Sequence, residues 1–341
     1  MGDILGLLRS FYRLGFCCYH SVWEMEAIEM DAFKTTSRFK DDGSGQYTVD
    51  KTLFIRDVMR DPSVAILFLR PRGFCKTSNL DMLKAFLEKT DSDNSIYFRN
   101  RKICKEEVTV REHFGKYPVI YMSFKSLDGS DAEAIYAQLA EVVASEYRRH
   151  GELEDSAHLS EKERKLYLRT VQGKLGRIEL ESSLFMLSYM LKRHYEENVM
   201  ILIDDYDLPV TYASGFLEDM LSFMRVFLGQ ALKTNPYLKK GILTGVSRIA
   251  NDGFCNGINN VVTYSMLDDR YSEYFGFTEE EIVEAARYHG CEDRLAELEK
   301  WYNGYIVGSR RIYNPWSVAR YFNIISQESP SSLMNSGKVE L

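Results

Sequence analysis

Val64-Ala-Ile-Leu-Phe-Leu-Arg-Pro-Arg-Gly-Phe-Cys-Lys-Thr-Ser-Asn79 is the stretch of sequence that decides the fold. An unbroken apolar run, residues 64–69, enters a short basic turn with one glycine, and leucines then recur at helical spacing. This pattern predicts a strand, a loop and a helix. The loop ends in Lys76-Thr77, the pair that closes a phosphate-binding loop. Backbone N–H groups at a helix start, together with the helix dipole, favour an anion there.

The loop departs from the pattern G-x-x-x-x-G-K-[ST] at both glycine positions, where this chain has Arg70 and Cys75. Two interpretations therefore remain open from these residues alone. In the first, the loop binds phosphate, Lys76 neutralises its charge and Thr77 ligates Mg²⁺. In the second, a buried parallel strand is followed by an ordinary basic turn.

The composition bounds the class of protein. A chain of 341 residues, 45% hydrophobic and 27% charged, is typical of a soluble globular protein with one large or two medium domains. The net charge of −7 argues against a surface that coats nucleic acid. Six cysteines without a C-x-x-C pair and six dispersed histidines predict reduced thiols and no zinc site. No apolar run approaches the roughly 20 residues of a membrane span, and no signal peptide is evident, so we expect a cytoplasmic protein without a membrane partner.

The organisation follows from the other apolar runs. Residues 118–124, 199–204 and 241–244 predict three further buried strands, which we expect to be parallel neighbours of residues 64–69 in one sheet with helices on both faces. We assign residues 1–37 to an N-terminal helical extension, 38–267 to the α/β core, and 268–341 to a smaller, mainly helical C-terminal subdomain and tail. Residues 251–260, rich in Asn and Gly, predict a loop. We expect four aromatic residues to pack the C-terminal subdomain: Trp301, Tyr305, Tyr313 and Trp316.

Polar residues follow two of the predicted strands. Ligands of a parallel sheet bind beyond the carboxyl ends of its strands, where Asp204-Asp205 and Thr244 would lie. In a nucleotide-hydrolysing site, Asp204 would bind the metal through its shell and Asp205 would orient water, while Thr244 or Arg248 would sense the terminal phosphate. Each residue also has a structural alternative, because Asp caps helices well and an arginine pairs with surface carboxylates.

Eight short motifs in the same order resemble the AAA-ATPase-like family over roughly residues 38–323. Members of this family often carry a restriction-endonuclease-like nuclease domain after the ATPase part, and with the sequence ending at Leu341 we expect none in this chain. The resemblance implies a P-loop NTPase fold, in which helices flank a parallel sheet, and a protein that binds ATP with Mg²⁺. The motifs are residues 49–55, 70–77 (Arg-Pro-Arg-Gly-Phe-Cys-Lys-Thr), 202–209, 243–249, 259–260, 275–278, 301–305 and 313–317 (Tyr-Asn-Pro-Trp-Ser).

The resemblance also implies roles for individual residues. Thr77 and Asp204 would hold the metal, and Asp205 and Arg248 would be the catalytic residues. The cofactor-binding residues would be Arg72, Gly73, Cys75, Lys76, Thr77, Asp204 and Thr244. This sequence departs from the family pattern twice, with Cys75 in place of Gly and Asp205 in place of Glu.

We expect both departures to weaken the activity. A Cβ at position 75 lies where the loop backbone must approach phosphate closely, in a conformation that glycine adopts most easily. Asp205 is one methylene shorter than Glu and would hold water about 1.5 Å further back, which lowers the rate.

These observations support two hypotheses. The first is an ATP-binding, AAA-like P-loop protein that is a weak ATP hydrolase. The alternative is a degenerate, non-hydrolysing family member that acts as a protein-interaction module. The expected partner is a nucleotide. The further expected partners are other copies of the chain in a homo-oligomer, or a protein client. Nucleic acid enters only through the family analogy.

Overall fold

The computed structural model describes residues 48–128, 131–249, 251–302 and 304–328. The helical extension predicted for residues 1–37 lies outside the described residues, as does the end of the tail. None of the helices within the described ranges is long and apolar enough to cross a membrane.

A five-stranded parallel sheet forms the centre of the molecule, with the strand order β2-β3-β4-β1-β5. The four predicted strands are all present in this sheet, which confirms the predicted fold class. The strands are β1 (Ala65–Leu69), β2 (Val119–Ser123), β3 (Val199–Asp204), β4 (Leu238–Gly245) and β5 (Val261–Tyr264).

Helices cover both faces of the sheet, because alternate residues of each strand enter opposite cores. In β1, Leu67 faces one core and Phe68 the other. The described helices are α1 (Leu53–Arg60), α2 (Lys76–Leu87), α3 (Glu107–His113), α4 (Ala132–Arg149), α5 (Glu161–Val171), α6 (Arg177–Glu181), α7 (Ser183–Tyr195), α8 (Leu208–Thr211), α9 (Leu217–Leu232), α10 (Asp252–Gly257), α11 (Glu279–His289), α12 (Leu295–Trp301) and α13 (Pro315–Glu328).

The two cores are built by different helices. Leu139 of α4, Leu187 of α7 and Phe223 of α9 pack on one face of the sheet. Phe54 of α1 and Leu83 of α2 pack on the other. A sheet buried on both faces explains why its strands read as continuous apolar runs and not as an alternating pattern.

The loop predicted for residues 251–260 is wrong in part, because α10 occupies residues 252–257. Packing against α9 overrides the poor helix propensity of these residues. The two helices approach closely at Gly229, where an added Cβ would lie 3.2 Å from the carbonyl oxygen of Gly257. Strand β5, which follows, pairs with β1 at the edge of the sheet and was not predicted.

The C-terminal part contains α11–α13 and an antiparallel hairpin, β6 (Tyr305–Val307) and β7 (Arg310–Ile312). Only one of the four aromatic residues expected to pack it, Tyr313, is buried. Trp301, Tyr305 and Trp316 are 67%, 50% and 49% exposed, so that prediction is wrong for these three. The core of this part is filled instead by aliphatic and aromatic side chains of α11 and α13, including Ile282, Ala286, Val318 and Phe322. The boundary at residue 268 stays a prediction.

Candidate nucleotide site

Residues 70–75, which we call the phosphate loop, join the end of β1 to the start of α2. Two of its residues have left-handed backbone conformations, Gly73 with φ +81° and Cys75 with φ 57° and ψ 26°. Cys75 is half-buried and has a Cβ in a region that costs an L-residue roughly 1–2 kcal/mol. Burial raises the pKa of its thiol to about 11, so the thiol is protonated at neutral pH. The loop therefore adopts the conformation for which glycine is the usual residue.

Lys76 begins α2 and its side chain turns back over the phosphate loop. Its Nζ donates to the carbonyl oxygens of Arg70 and Pro71, both at 3.2 Å, and lies 4.0 Å from Oδ1 of Asp205. The side chain is buried, and this burial lowers the pKa of the amine against the opposing charges of Asp205 and Asp204. A cation is thus held between the loop and the carboxylates at the end of β3.

Asp204 is the last residue of β3 and is fully buried. The hydroxyl of Thr77 donates to its Oδ2 at 2.6 Å, and the hydroxyl of Thr244 donates to its Oδ1 at 2.6 Å. The parallel register, in which Ile203 pairs with Leu243, brings these strand ends together. The structure therefore places Asp204 between a hydroxyl of α2 and a hydroxyl of β4.

Asp205 follows directly and has a positive φ of 51°, a conformation that Asp tolerates better than most residues. Burial raises the pKa of its carboxyl, and the neighbouring charge of Asp204 raises it further, while the Lys76 ammonium opposes both. The pair of carboxylates and the lysine form one electrostatically coupled group at the sheet edge.

The turn after β4 is fixed by two residues that were not predicted as part of the site. Asp207, buried, accepts hydrogen bonds from the Ser247 backbone N–H and hydroxyl, each at 2.8 Å. Tyr206 donates from its hydroxyl to the Ser247 carbonyl at 3.1 Å. Arg248 lies beyond this turn, with an exposed side chain that makes no hydrogen bond or ion pair with the residues described. The structure brings the other site residues together but leaves Arg248 at the surface.

Arg70 occupies the first glycine position of the loop pattern, and its side chain leaves the loop entirely. It is fully buried, and its Nη1 donates to the carbonyl oxygens of Leu69 and Tyr264. The guanidinium lies 5.0 Å from the ring centroid of Phe275, and burial lowers the pKa of Arg70 to about 10. An arginine is accommodated here because its side chain packs away from the loop, on the β5 side.

Asn314 is a further residue of the site that was not predicted from the sequence. Its Nδ2 donates to the carbonyl oxygen of Arg72 at 3.1 Å, and the exposed Arg72 side chain takes no part in this contact. The signal that could have identified it is its place in the motif of residues 313–317. The C-terminal part of the chain therefore contacts the phosphate loop directly.

The oxygen ligands at this edge of the sheet suit Mg²⁺. This ion prefers oxygen and is usually bound by one or two carboxylates together with substrate phosphates. The ligands at this edge are the carboxylate of Asp204 and the hydroxyl of Thr77. In the parts of the chain that the structure covers, no group of three or more His, Cys, Asp or Glu side chains is arranged as an all-protein metal cage. Asp204 and Thr77 supply two oxygen ligands, so the remaining ligands of a bound Mg²⁺ would come from water or from a bound phosphate.

The parallel sheet, the strand–loop–helix unit and the Lys-Thr pair beside Asp204 define a P-loop NTPase-like domain. The chain belongs to the AAA-ATPase-like family, described as predicted AAA-ATPases, whose model matches residues 34–255. An "Uncharacterized protein in vnfD 5'region" of Azotobacter chroococcum mcd 1 is 24% identical over 290 residues, which are 82% of this chain and 49% of that protein. The chain thus spans about half the length of this relative. No solved structure matches this chain.

Proposed function

We propose that this protein binds ATP with Mg²⁺ at the phosphate loop and hydrolyses it slowly. The observation that carries the proposal is the convergence on Asp204, where Thr77 from α2 and Thr244 from β4 each donate a hydroxyl hydrogen bond. A buried carboxylate without hydrogen-bond partners is costly, and the two hydroxyls supply those partners. Together they also fix the direction in which the carboxylate points. The family match supports the same class of activity.

Each residue has a distinct part in the proposed site. Lys76 binds the outer phosphates after exchanging its bonds to the loop carbonyls for bonds to phosphate oxygens, a charge-assisted interaction. Thr77 and Asp204 hold Mg²⁺, which when bound neutralises phosphate charge. Asp205 accepts from and orients the attacking water. Thr244 fixes the direction of the Asp204 carboxylate.

Arg248 and the two loop residues Arg72 and Gly73 complete the proposed site. Arg248 is exposed just after the turn that Asp207 fixes, and in the proposed site it senses the terminal phosphate. Arg72 adds positive charge to the loop, and Gly73 brings its backbone close to the ligand. The assignments of Arg72 and Gly73 rest on the resemblance and on their place in the loop, and that of Arg248 rests on the resemblance.

The proposal is tested by calorimetric titration of Mg-ATP into the purified chain. The expected result is binding that Lys76→Ala abolishes, because the variant removes the cation held between the loop and the carboxylates. Lys165→Ala is the matched control, since it removes an exposed lysine of α5 paired only along its own helix with Glu161. Loss of binding in both variants, or in neither, contradicts the proposed role of Lys76.

A protein-interaction module is the second candidate, and one observation favours it. Three large apolar side chains are strongly exposed, one just before the C-terminal part, Leu267 at 90%, and two within it, Trp301 at 67% and Ile306 at 64%. Exposed apolar groups of this kind are enriched where proteins meet. If the chain binds no Mg-ATP and these residues are needed to bind a protein client or a second copy, the interaction module is the better description.

A further inference from the structure

The side chain of Asn314 connects two segments that are 242 residues apart in the sequence. Its Oδ1 accepts from the backbone N–H groups of Trp316, at 3.0 Å, and Ser317, at 3.3 Å, and so caps the start of α13. The Nδ2 of the same amide donates to the carbonyl oxygen of Arg72, at 3.1 Å. One side chain therefore serves a helix of the C-terminal part and the phosphate loop at once.

The loop is shaped to receive this amide. A Cβ at Gly73 would lie 2.9 Å from both Nδ2 and Oδ1 of Asn314, so only glycine leaves room for the contact. The next residue, Phe74, is fully buried against Val307 and Ile312 of the hairpin. Residues 72–74 are thus held from the C-terminal side, one after another.

A second set of contacts holds the first two residues of the loop. Lys76 donates to the carbonyl oxygens of the first two loop residues, Arg70 and Pro71. Between these anchors lies Cys75, whose left-handed backbone is unfavourable for a residue with a Cβ. Such a conformation persists only when the surrounding structure fixes it. The hydrogen bond from Asn314 is one of the contacts that do so.

We propose that Asn314 is a positioning residue of the nucleotide site, acting on the phosphate loop through the carbonyl of Arg72. The peptide unit is planar and trans, so fixing this carbonyl also fixes the direction of the Gly73 N–H. The consequence for nucleotide affinity rests on the proposed function. The effect on the loop itself does not, because it concerns the protein without a ligand.

The alternative is that Asn314 only caps α13, and a pair of variants separates the two roles. Asn314→Ser keeps a hydroxyl cap for the helix but has no amide to reach Arg72. Asn314→Ala loses both contacts. Ser160→Ala is the matched control, because it removes the cap of α5, which packs on α4.

The first measurement is hydrogen exchange of the backbone amides of residues 72–79 in the protein without nucleotide. We expect Asn314→Ser and Asn314→Ala to accelerate exchange in this segment to a similar degree, about three- to tenfold for one lost hydrogen bond. Only Asn314→Ala should also accelerate hydrogen exchange of the backbone amides in the first turn of α13. Ser160→Ala should leave the loop unchanged. If the loop amides of Asn314→Ser exchange as slowly as those of the wild type, the proposal is overturned.

The second measurement is the dissociation constant of Mg-ATP by calorimetry. Both variants at position 314 should raise it by a similar factor, again about three- to tenfold. If the wild type binds Mg-ATP and Asn314→Ser binds it equally well, Asn314 has no positioning role in the site, even where loop exchange is faster. If the wild type itself does not bind, the proposed function fails, and loop exchange alone decides whether Asn314 positions the loop.

Discussion

Replacing Cys75 by alanine and by glycine isolates the backbone energy stored in the phosphate loop. Both variants lose the thiol and its packing, so the difference between them reports only the Cβ in a left-handed conformation. That Cβ costs roughly 1–2 kcal/mol, whereas the greater freedom of glycine in the unfolded chain costs about 0.5–1 kcal/mol. We therefore expect Cys75→Gly to be more stable than Cys75→Ala by about 0.75 kcal/mol, the difference between the centres of these two ranges.

The assay is equilibrium unfolding in urea, supported by calorimetric melting, where this difference amounts to a shift of about 1 °C in a chain of this length. The control is Ala137, an exposed residue within α4. At this helical position alanine should be more stable than glycine, the reverse of the order expected at position 75. Glycine in a helix is less favourable than alanine by about 1 kcal/mol, so Ala137→Gly should destabilise the protein. If Cys75→Ala is as stable as Cys75→Gly, the backbone at position 75 is not strained and the reasoning is refuted.

The same pair of variants divides two effects on nucleotide binding. The left-handed backbone is present without a ligand, so its cost falls on folding and not on binding. A difference in Mg-ATP affinity between the two variants then measures how closely the Cβ crowds the phosphate. We expect tighter binding with Cys75→Gly, measured by calorimetry.

Three further predictions concern the carboxylates. Asp205→Glu should raise ATP turnover and leave the affinity for Mg-ATP nearly unchanged, because water positioning acts only on the way to the transition state; steady-state phosphate release tests this. The pKa of Asp205 is raised in the folded state, so its contribution to stability is lost as the pH rises from the ordinary carboxyl value of 3.8 through the raised one. Asp205→Asn should therefore increase the free energy of unfolding near neutral pH and flatten its pH dependence, as urea titrations at several pH values will show. Thr244→Val leaves Oδ1 of the buried Asp204 without its donor and should destabilise the protein by about 1–3 kcal/mol, and a double-mutant cycle with Asp204→Asn measures the part of this cost that depends on the charge of Asp204.

The sheet and the centre of the site follow from the sequence for one physical reason. Strands buried on both faces are continuous apolar runs, and parallel strands end at the same edge, so residues just after each run are neighbours. Lys76, Asp204 and Thr244 were brought together by that rule. The conformation of Cys75 was also foreseeable, because a position that glycine normally occupies in a tight loop demands a left-handed backbone.

Features that depend on packing between distant segments were not foreseeable. The contact of Asn314 with Arg72 exists because α13 begins beside the phosphate loop, and no local pattern encodes that placement. The burial of Arg70 is similar, since a charged residue in a basic turn predicts exposure until Phe275 is known to cover it. Trp301 and Trp316 were expected in a core because large aromatic residues usually are, but smaller side chains fill that core.

The strained residues bear on the choice between the two hypotheses. Five non-glycine residues in the described parts of the chain have a positive φ, and two of them, Cys75 and Asp205, follow strands β1 and β3 at the carboxyl edge of the sheet. Their φ values are 57° and 51°; Cys75 directly precedes Lys76, and Oδ1 of Asp205 lies 4.0 Å from the Lys76 ammonium. Strained backbone of this kind concentrates where a site must be pre-organised. The positions of the strain, beside a lysine and two carboxylates at the carboxyl edge of a parallel sheet, therefore favour nucleotide binding over a purely structural role, and the loss of Mg-ATP binding in Lys76→Ala remains the result on which that inference depends.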